Sequence, residues 1–196
     1  MAASMTHEFA RNHFELLGLP VSFAVDPAAL ERAYRDLQGR VHPDRFACAS
    51  EAERRVAMQW ATRANEAYRT LRNPIERARY LLGLKGFETG EESNTAMPPD
   101  FLMQQMEWRE AVEEGRRARD AQALERLRGE IHGERGEMHS LLARALGGER
   151  NYDAGCSLVR KLRFLDRIEA EIDDALEAVA EGAHGAHSNG TVKGSP

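Results

Sequence analysis

Apolar residues recur along this chain at intervals of three and four, and no stretch sustains a period-two alternation. That spacing matches the 3.6-residue turn of an α-helix and confines the chain to all-α architectures. Leu30, Ala33, Tyr34, Leu37 and Val41 line one helix face, and Val56, Trp60, Ala64, Ala67 and Leu71 line a second. Leu158, Leu162, Leu165, Ile168, Ile172, Leu176 and Val179 line a third. No Asn-Gly pair separates two apolar runs, so the strongest hairpin signal is missing.

Boundaries fall where helix-starting and helix-stopping residues cluster. A short apolar helix around Phe14, Leu16, Leu17 and Leu19 stops before Pro20. Asp26-Pro27 reads as an N-cap followed by proline at the first helical position. Ser50 and Glu53 have capping-box spacing, and Asn73-Pro74 starts a short helix carrying Ala78, Leu81 and Leu82. Residues 85–99 lose all periodicity and end at Pro98-Pro99, so they read as a linker. Beyond them, turns at Asp120 and at Gly147-Gly148 with Asn151 divide the chain into three helices. The expected organisation is one helical domain over 10–84, the linker over 85–99, an antiparallel three-helix bundle over 100–181 and a disordered tail over 182–196.

Charge narrows the function. Residues 1–84 carry 12 Lys+Arg and 10 Asp+Glu, whereas residues 85–196 carry 15 and 22. The front is mildly basic and the back acidic, which argues against nucleic-acid binding and permits partners of different charge on different faces. Two distant cysteines, Cys48 and Cys156, give neither a disulfide framework nor a thiolate zinc site. They suit a reducing cytoplasm. The first residues lack the basic start and apolar run of a secretory signal. No apolar run reaches the ~18–20 residues a bilayer span needs.

The most informative segment is the turn His42-Pro43-Asp44 between two helices. Proline excludes the helical conformation for His42, so the first helix ends there. Opposite that helix's apolar face lie Arg32, Arg35 and Gly39, within about 60° of one another at ~100° per residue. Arg40 and Arg45 flank the turn. The run from Tyr34 to Phe46, and Asn65-Glu66-Ala67-Tyr68-Arg69-Thr70-Leu71-Arg72-Asn73-Pro74 downstream, closely resemble the J-domain signature. Four further stretches resemble the HscB family of J-domain co-chaperones: Phe14 to Pro20, Arg77 to Leu82 with Gly86-Phe87, Phe101 to Glu110, and Val159 to Asp166. Met106 and Trp108 stand where that family commonly has leucines.

The resemblance implies an L-shaped, non-enzymatic adaptor with a J-domain (a helical hairpin with short flanking helices) and a client-binding bundle. It implies two partners, a DnaK-class chaperone (HscA-like) and an iron–sulfur scaffold protein (IscU-like). It places the chaperone contact on His42, Pro43, Asp44, Arg32, Arg35, Arg40 and Arg45. Asp44 would engage a chaperone arginine and release a brake on ATP hydrolysis.

The helix from residue 100 carries a second apolar stripe. Phe101, Trp108 and Val112 share one side, while Leu102, Met103 and Met106 occupy another, beside Glu107 and Glu110. A bundle helix needs only one apolar stripe. A second, rich in methionine and rimmed by acids, either enters the core or meets a partner. Phe164 lies off the core stripe of the last helix, and the resemblance assigns it to the same client surface.

Catalytic and metal chemistry have little support. His132 and His139 share a helix face, but Gly129 and Gly136 precede them where a di-iron bundle needs glutamates. His7 and His13 read as surface residues. No catalytic residue, metal ligand set or cofactor motif stands out. The alternatives are a J-domain protein for another client and a metal-binding bundle using His132 and His139.

Overall fold

The computed structural model describes residues 11–41, 49–90 and 97–188, with side chains through Glu181. Among the described residues there are seven helices and no strand. They are α1 (His13–Leu16), α2 (Pro27–Val41), α3 (Glu51–Arg72), α4 (Pro74–Leu84), α5 (Pro99–Ala118), α6 (Ala121–Leu146) and α7 (Tyr152–Ser188). None is long and apolar enough to cross a membrane. Two compact units result: residues 1–89 with 143–156, and residues 90–142 with 157–196.

The starts of the helices follow the expected chemistry. Asp26 Oδ1 accepts from the Ala28 N–H at 3.0 Å. Ser50 and Glu53 close a reciprocal capping box, and Asn73 Oδ1 accepts from Ile75 and Glu76. Asp120 accepts from Ala123 at 2.9 Å, and Asn151 from Ala154 at 3.1 Å. Each such cap satisfies amide donors that the first helical turn leaves without a partner.

In the first unit α2 and α3 form an antiparallel hairpin: Glu31 pairs with Tyr68, and Gln38 pairs with Asn65. The buried line of α3 is Ala57, Trp60, Ala64, Ala67 and Leu71, with Val56 only half-buried. Ala64 and Ala67 are fully buried, and their small side chains let neighbouring elements approach closely. On α4, Ile75, Ala78, Leu81 and Leu82 are buried. Gly86 ends α4 in the left-handed region (φ 81°), so that the Phe87 N–H reaches Leu82 O at 3.0 Å. Phe87 then packs against Tyr152, ring centroids 5.2 Å apart. A Cβ added at Gly155 would stand 2.6 Å from Leu146 Cδ2, so a larger residue there would require that side chain to shift.

His13, expected at the surface, is half-buried. Its ring stacks on Tyr80 at 4.2 Å, and its backbone N–H donates to the Tyr80 hydroxyl at 2.9 Å. Burial, with the Arg63 charge, depresses its pKa below the ordinary imidazole value, against the opposing pull of Glu66. The unfolded chain therefore takes up this proton more readily than the folded one. Stability contributed here is present above about pH 6.5 and is lost as pH falls toward the folded value. Urea titrations at pH 8 and pH 5.5 should show a larger loss on acidification for the wild type than for His13→Gln. Equal losses would remove His13 as the source.

The second unit is an up-down-up bundle of α5, the greater part of α6, and α7. Gly115 of α5 meets Leu124 of α6, and Trp108 Nε1 donates to Glu130 Oε1 at 3.3 Å, so these two helices run antiparallel. Arg128 pairs with Asp173 and Arg135 with Glu169, so α6 and α7 are antiparallel as well. The core holds Val112, Leu124, Ile131, Leu162, Leu165, Ile168 and Ile172, each at most 2% exposed. Arg119 takes the left-handed conformation (φ 55°) that closes α5, and the Asp120 N–H reaches Gly115 O at 3.0 Å. Helix α7 continues to Ser188, past Gly182, where a disordered tail was expected to begin. The rest of that segment, residues 189–196, lies outside the described residues.

Candidate partner-binding site

The cationic face of α2 is open to solvent. The Arg32 side chain is 69% exposed, with its Nη2 atom 3.9 Å from Asp26 Oδ2. The Arg35 side chain is 75% exposed and donates from Nε to Glu31 Oε1 at 2.9 Å. Arg40 is exposed and donates from Nε to the Asp36 carbonyl at 3.3 Å. Helix α2 ends at Val41, and α3 starts after the Ser50 cap. His42, Pro43, Asp44 and Arg45 lie outside the described residues.

Beside this face sits a polar network that spacing alone does not reveal. The Tyr34 hydroxyl donates to Asn65 Oδ1 at 2.8 Å, and Gln38 Nε2 donates to both of them. The Tyr34 and Tyr68 rings stack at 4.2 Å. The Tyr68 hydroxyl donates to Glu31 Oε2, and the Arg72 guanidinium lies 5.8 Å from the Tyr68 ring centre. The bond from Tyr68, then those from Arg35, hold the Glu31 carboxyl below its ordinary range. The same bond raises the Tyr68 phenol. The Glu31–Arg35 pair is legible from its four-residue spacing. Tyr68 is 37 positions away, and only the hairpin brings it to Glu31.

On α5 the two apolar stripes separate. Phe101, Trp108 and Val112 are buried at 6%, 4% and 2% exposure. Met103 and Met106 remain 62% and 72% exposed, and Leu102 is half-buried. Glu107 and Glu110 are exposed next to them. Two methionines in water on an otherwise well-packed bundle form an adaptable apolar surface with acidic neighbours.

Phe164, expected on this surface, is not there. It is 2% exposed, edge-on to Phe101 at 5.8 Å and stacked with Trp108 at 6.2 Å. The Arg109 guanidinium covers its ring at 5.5 Å, and Lys161 covers Phe101 at 5.0 Å. Its off-stripe position on α7 points at α5, whose aromatics make a pocket for it. A stripe computed for one helix cannot show that.

His132 is exposed, and its Nδ1 lies 3.4 Å from Arg135 Nη2. His139 is seven residues on, which at ~1.5 Å per residue is about 10 Å along the helix. Among the described residues no three His, Cys, Asp or Glu side chains gather as a metal site.

Comparison with known proteins agrees across the chain. Residues 97–173 match the family described as the HSCB C-terminal oligomerisation domain. The co-chaperone protein HscB homolog of Azoarcus sp. (strain BH72) is 49% identical over 175 residues, 89% of this chain and 99% of that protein. The solved structure of chaperone HscB from Vibrio cholerae superposes with a TM-score of 0.79 at 38% identity, covering 85% of this chain and 98% of that one. The crystal structure of human co-chaperone protein HscB superposes with a TM-score of 0.79 at 30% identity, covering 84% of this chain and 81% of that one.

Proposed function

The chain belongs to the HscB co-chaperone family, and from that premise we propose that it carries an iron–sulfur scaffold protein (IscU-like) to a DnaK-class chaperone (HscA-like) and stimulates that chaperone's ATPase. Its all-α fold is that of the HscB structures, with a J-domain hairpin and a C-terminal bundle. On this reading it is an adaptor in the cytoplasm, without catalytic chemistry or a cofactor of its own. Arg32, Arg35 and Arg40, with the His42-Pro43-Asp44 turn and Arg45, meet an acidic surface of the chaperone. Cations on a rigid helix speed such an encounter more than they tighten the complex. Leu102, Met103 and Met106, with Glu107 and Glu110, receive the scaffold.

The observation that carries the reading is the exposure of Met103 and Met106 on α5, whose opposite side already fills the core. The bundle does not need them for stability, so their retention in water suits a partner. Phe164 supports that surface from beneath. Replacing both methionines with alanine should leave thermal stability unchanged and weaken scaffold binding by about 2 kcal/mol, roughly 30-fold. Calorimetric titration with an IscU-like protein measures this; unchanged affinity would place the client elsewhere.

A further inference from the structure

Among the described residues, Arg35 is the one arginine of the α2 face that is tied, through its neighbour, to the other arm of the hairpin. Its guanidinium uses Nε to reach Glu31 Oε1 at 2.9 Å. Among the described residues no other group bonds to it, so its two Nη groups face solvent on a side chain that is 75% exposed. The second carboxylate oxygen of Glu31 is held by the Tyr68 hydroxyl of α3. The Tyr68 ring is itself fixed by its stack on Tyr34 at 4.2 Å and by Arg72 at 5.8 Å. We propose that Glu31 and Tyr68 are positioning residues for chaperone engagement: Tyr68 pins the Glu31 carboxylate, and Glu31 in turn aims the Nη fork of Arg35 outward at a carboxylate of the chaperone. The inference rests on the function proposed above and adds to it which groups set the geometry of the contact.

Two effects of Glu31 compete. Its charge offsets part of that of Arg35, which weakens attraction to an acidic partner. Its hydrogen bond restricts a long, rotamer-rich side chain before the partner arrives. Exposed ion pairs have small energies because water and salt screen them. Ordering an arginine at an interface costs more than that, and a guanidinium held by Nε presents its remaining edge for a bidentate bond. Orientation therefore outweighs neutralisation. Tyr68 strengthens it by anchoring the carboxylate to the other arm of the hairpin.

The test is a titration of the ATPase of a DnaK-class chaperone with four full-length proteins: wild type, Tyr68→Phe, Arg35→Ala and the double variant. Phenylalanine keeps the ring stack and removes only the hydroxyl. Tyr68→Phe should raise the concentration for half-maximal stimulation about threefold, the scale of ordering one long side chain, and leave maximal stimulation unchanged. In the Arg35→Ala background the same change should have no further effect. A threefold shift that persists without Arg35 would show a merely structural role for Tyr68 and overturn the proposal, as would no shift in either background. Failure of the wild type to stimulate would overturn the function itself, and this inference with it.

Discussion

Asp44→Ala is expected to reduce stimulation of the chaperone ATPase to the basal rate while leaving affinity for the scaffold protein unchanged. Proline removes a backbone donor and fixes one dihedral, which lowers the conformational freedom a segment such as His42-Pro43-Asp44 has to lose on binding. Its aspartate is the acid that the family resemblance aims at a chaperone arginine. A charge-assisted bond of that kind is worth about 1.5–3 kcal/mol. If the bond forms only in the state competent for hydrolysis, its whole energy appears in the rate, roughly 10- to 150-fold. Alanine at position 44 deletes the carboxylate and keeps proline. The stripe proposed to receive the scaffold, by contrast, lies on α5 in the second unit. The measurement pairs steady-state ATPase with calorimetric titration of the scaffold. Full stimulation by Asp44→Ala would end the J-domain reading; loss of both activities would point to misfolding, which circular dichroism resolves.

The second large effect is on stability. Phe164→Ala should lower the unfolding free energy by about 3–5 kcal/mol, the usual range for deleting a buried aromatic side chain. Phe164 is the meeting point of Phe101, Trp108 and the Arg109 guanidinium, so its loss also removes ring–ring and cation–ring contacts. A urea titration followed by tryptophan fluorescence measures the loss, since Trp108 reports on this cluster. An unchanged midpoint, together with weakened scaffold binding, would return Phe164 to the surface.

These two residues show what sequence resolves. The end of α2 at Val41 is legible because Pro43 acts on its immediate neighbours, and local chemistry is written in adjacent letters. Caps behave the same way: Asp26, Ser50, Asn73, Asp120 and Asn151 all accept from amides two or three positions on. That Phe101, Trp108 and Val112 share one side of α5 follows from helical periodicity alone. Phe164 and His13 are different. Each has a position unremarkable for its own helix and is covered, Phe164 fully and His13 in part, by something from a distant stretch, the α5 aromatics in one case and Tyr80 in the other.

From its sequence the chain is committed to helices, to the starts of most of them and to the core stripes of α2, α3 and α7. All of these depend on residues within about a turn of one another, where backbone geometry sets the distances. Tertiary structure alone decided that the Met103 and Met106 stripe stays in water and that Tyr68 closes on Glu31. Which of two apolar faces is covered depends on how many helices pack around it, and that is a property of the assembled bundle.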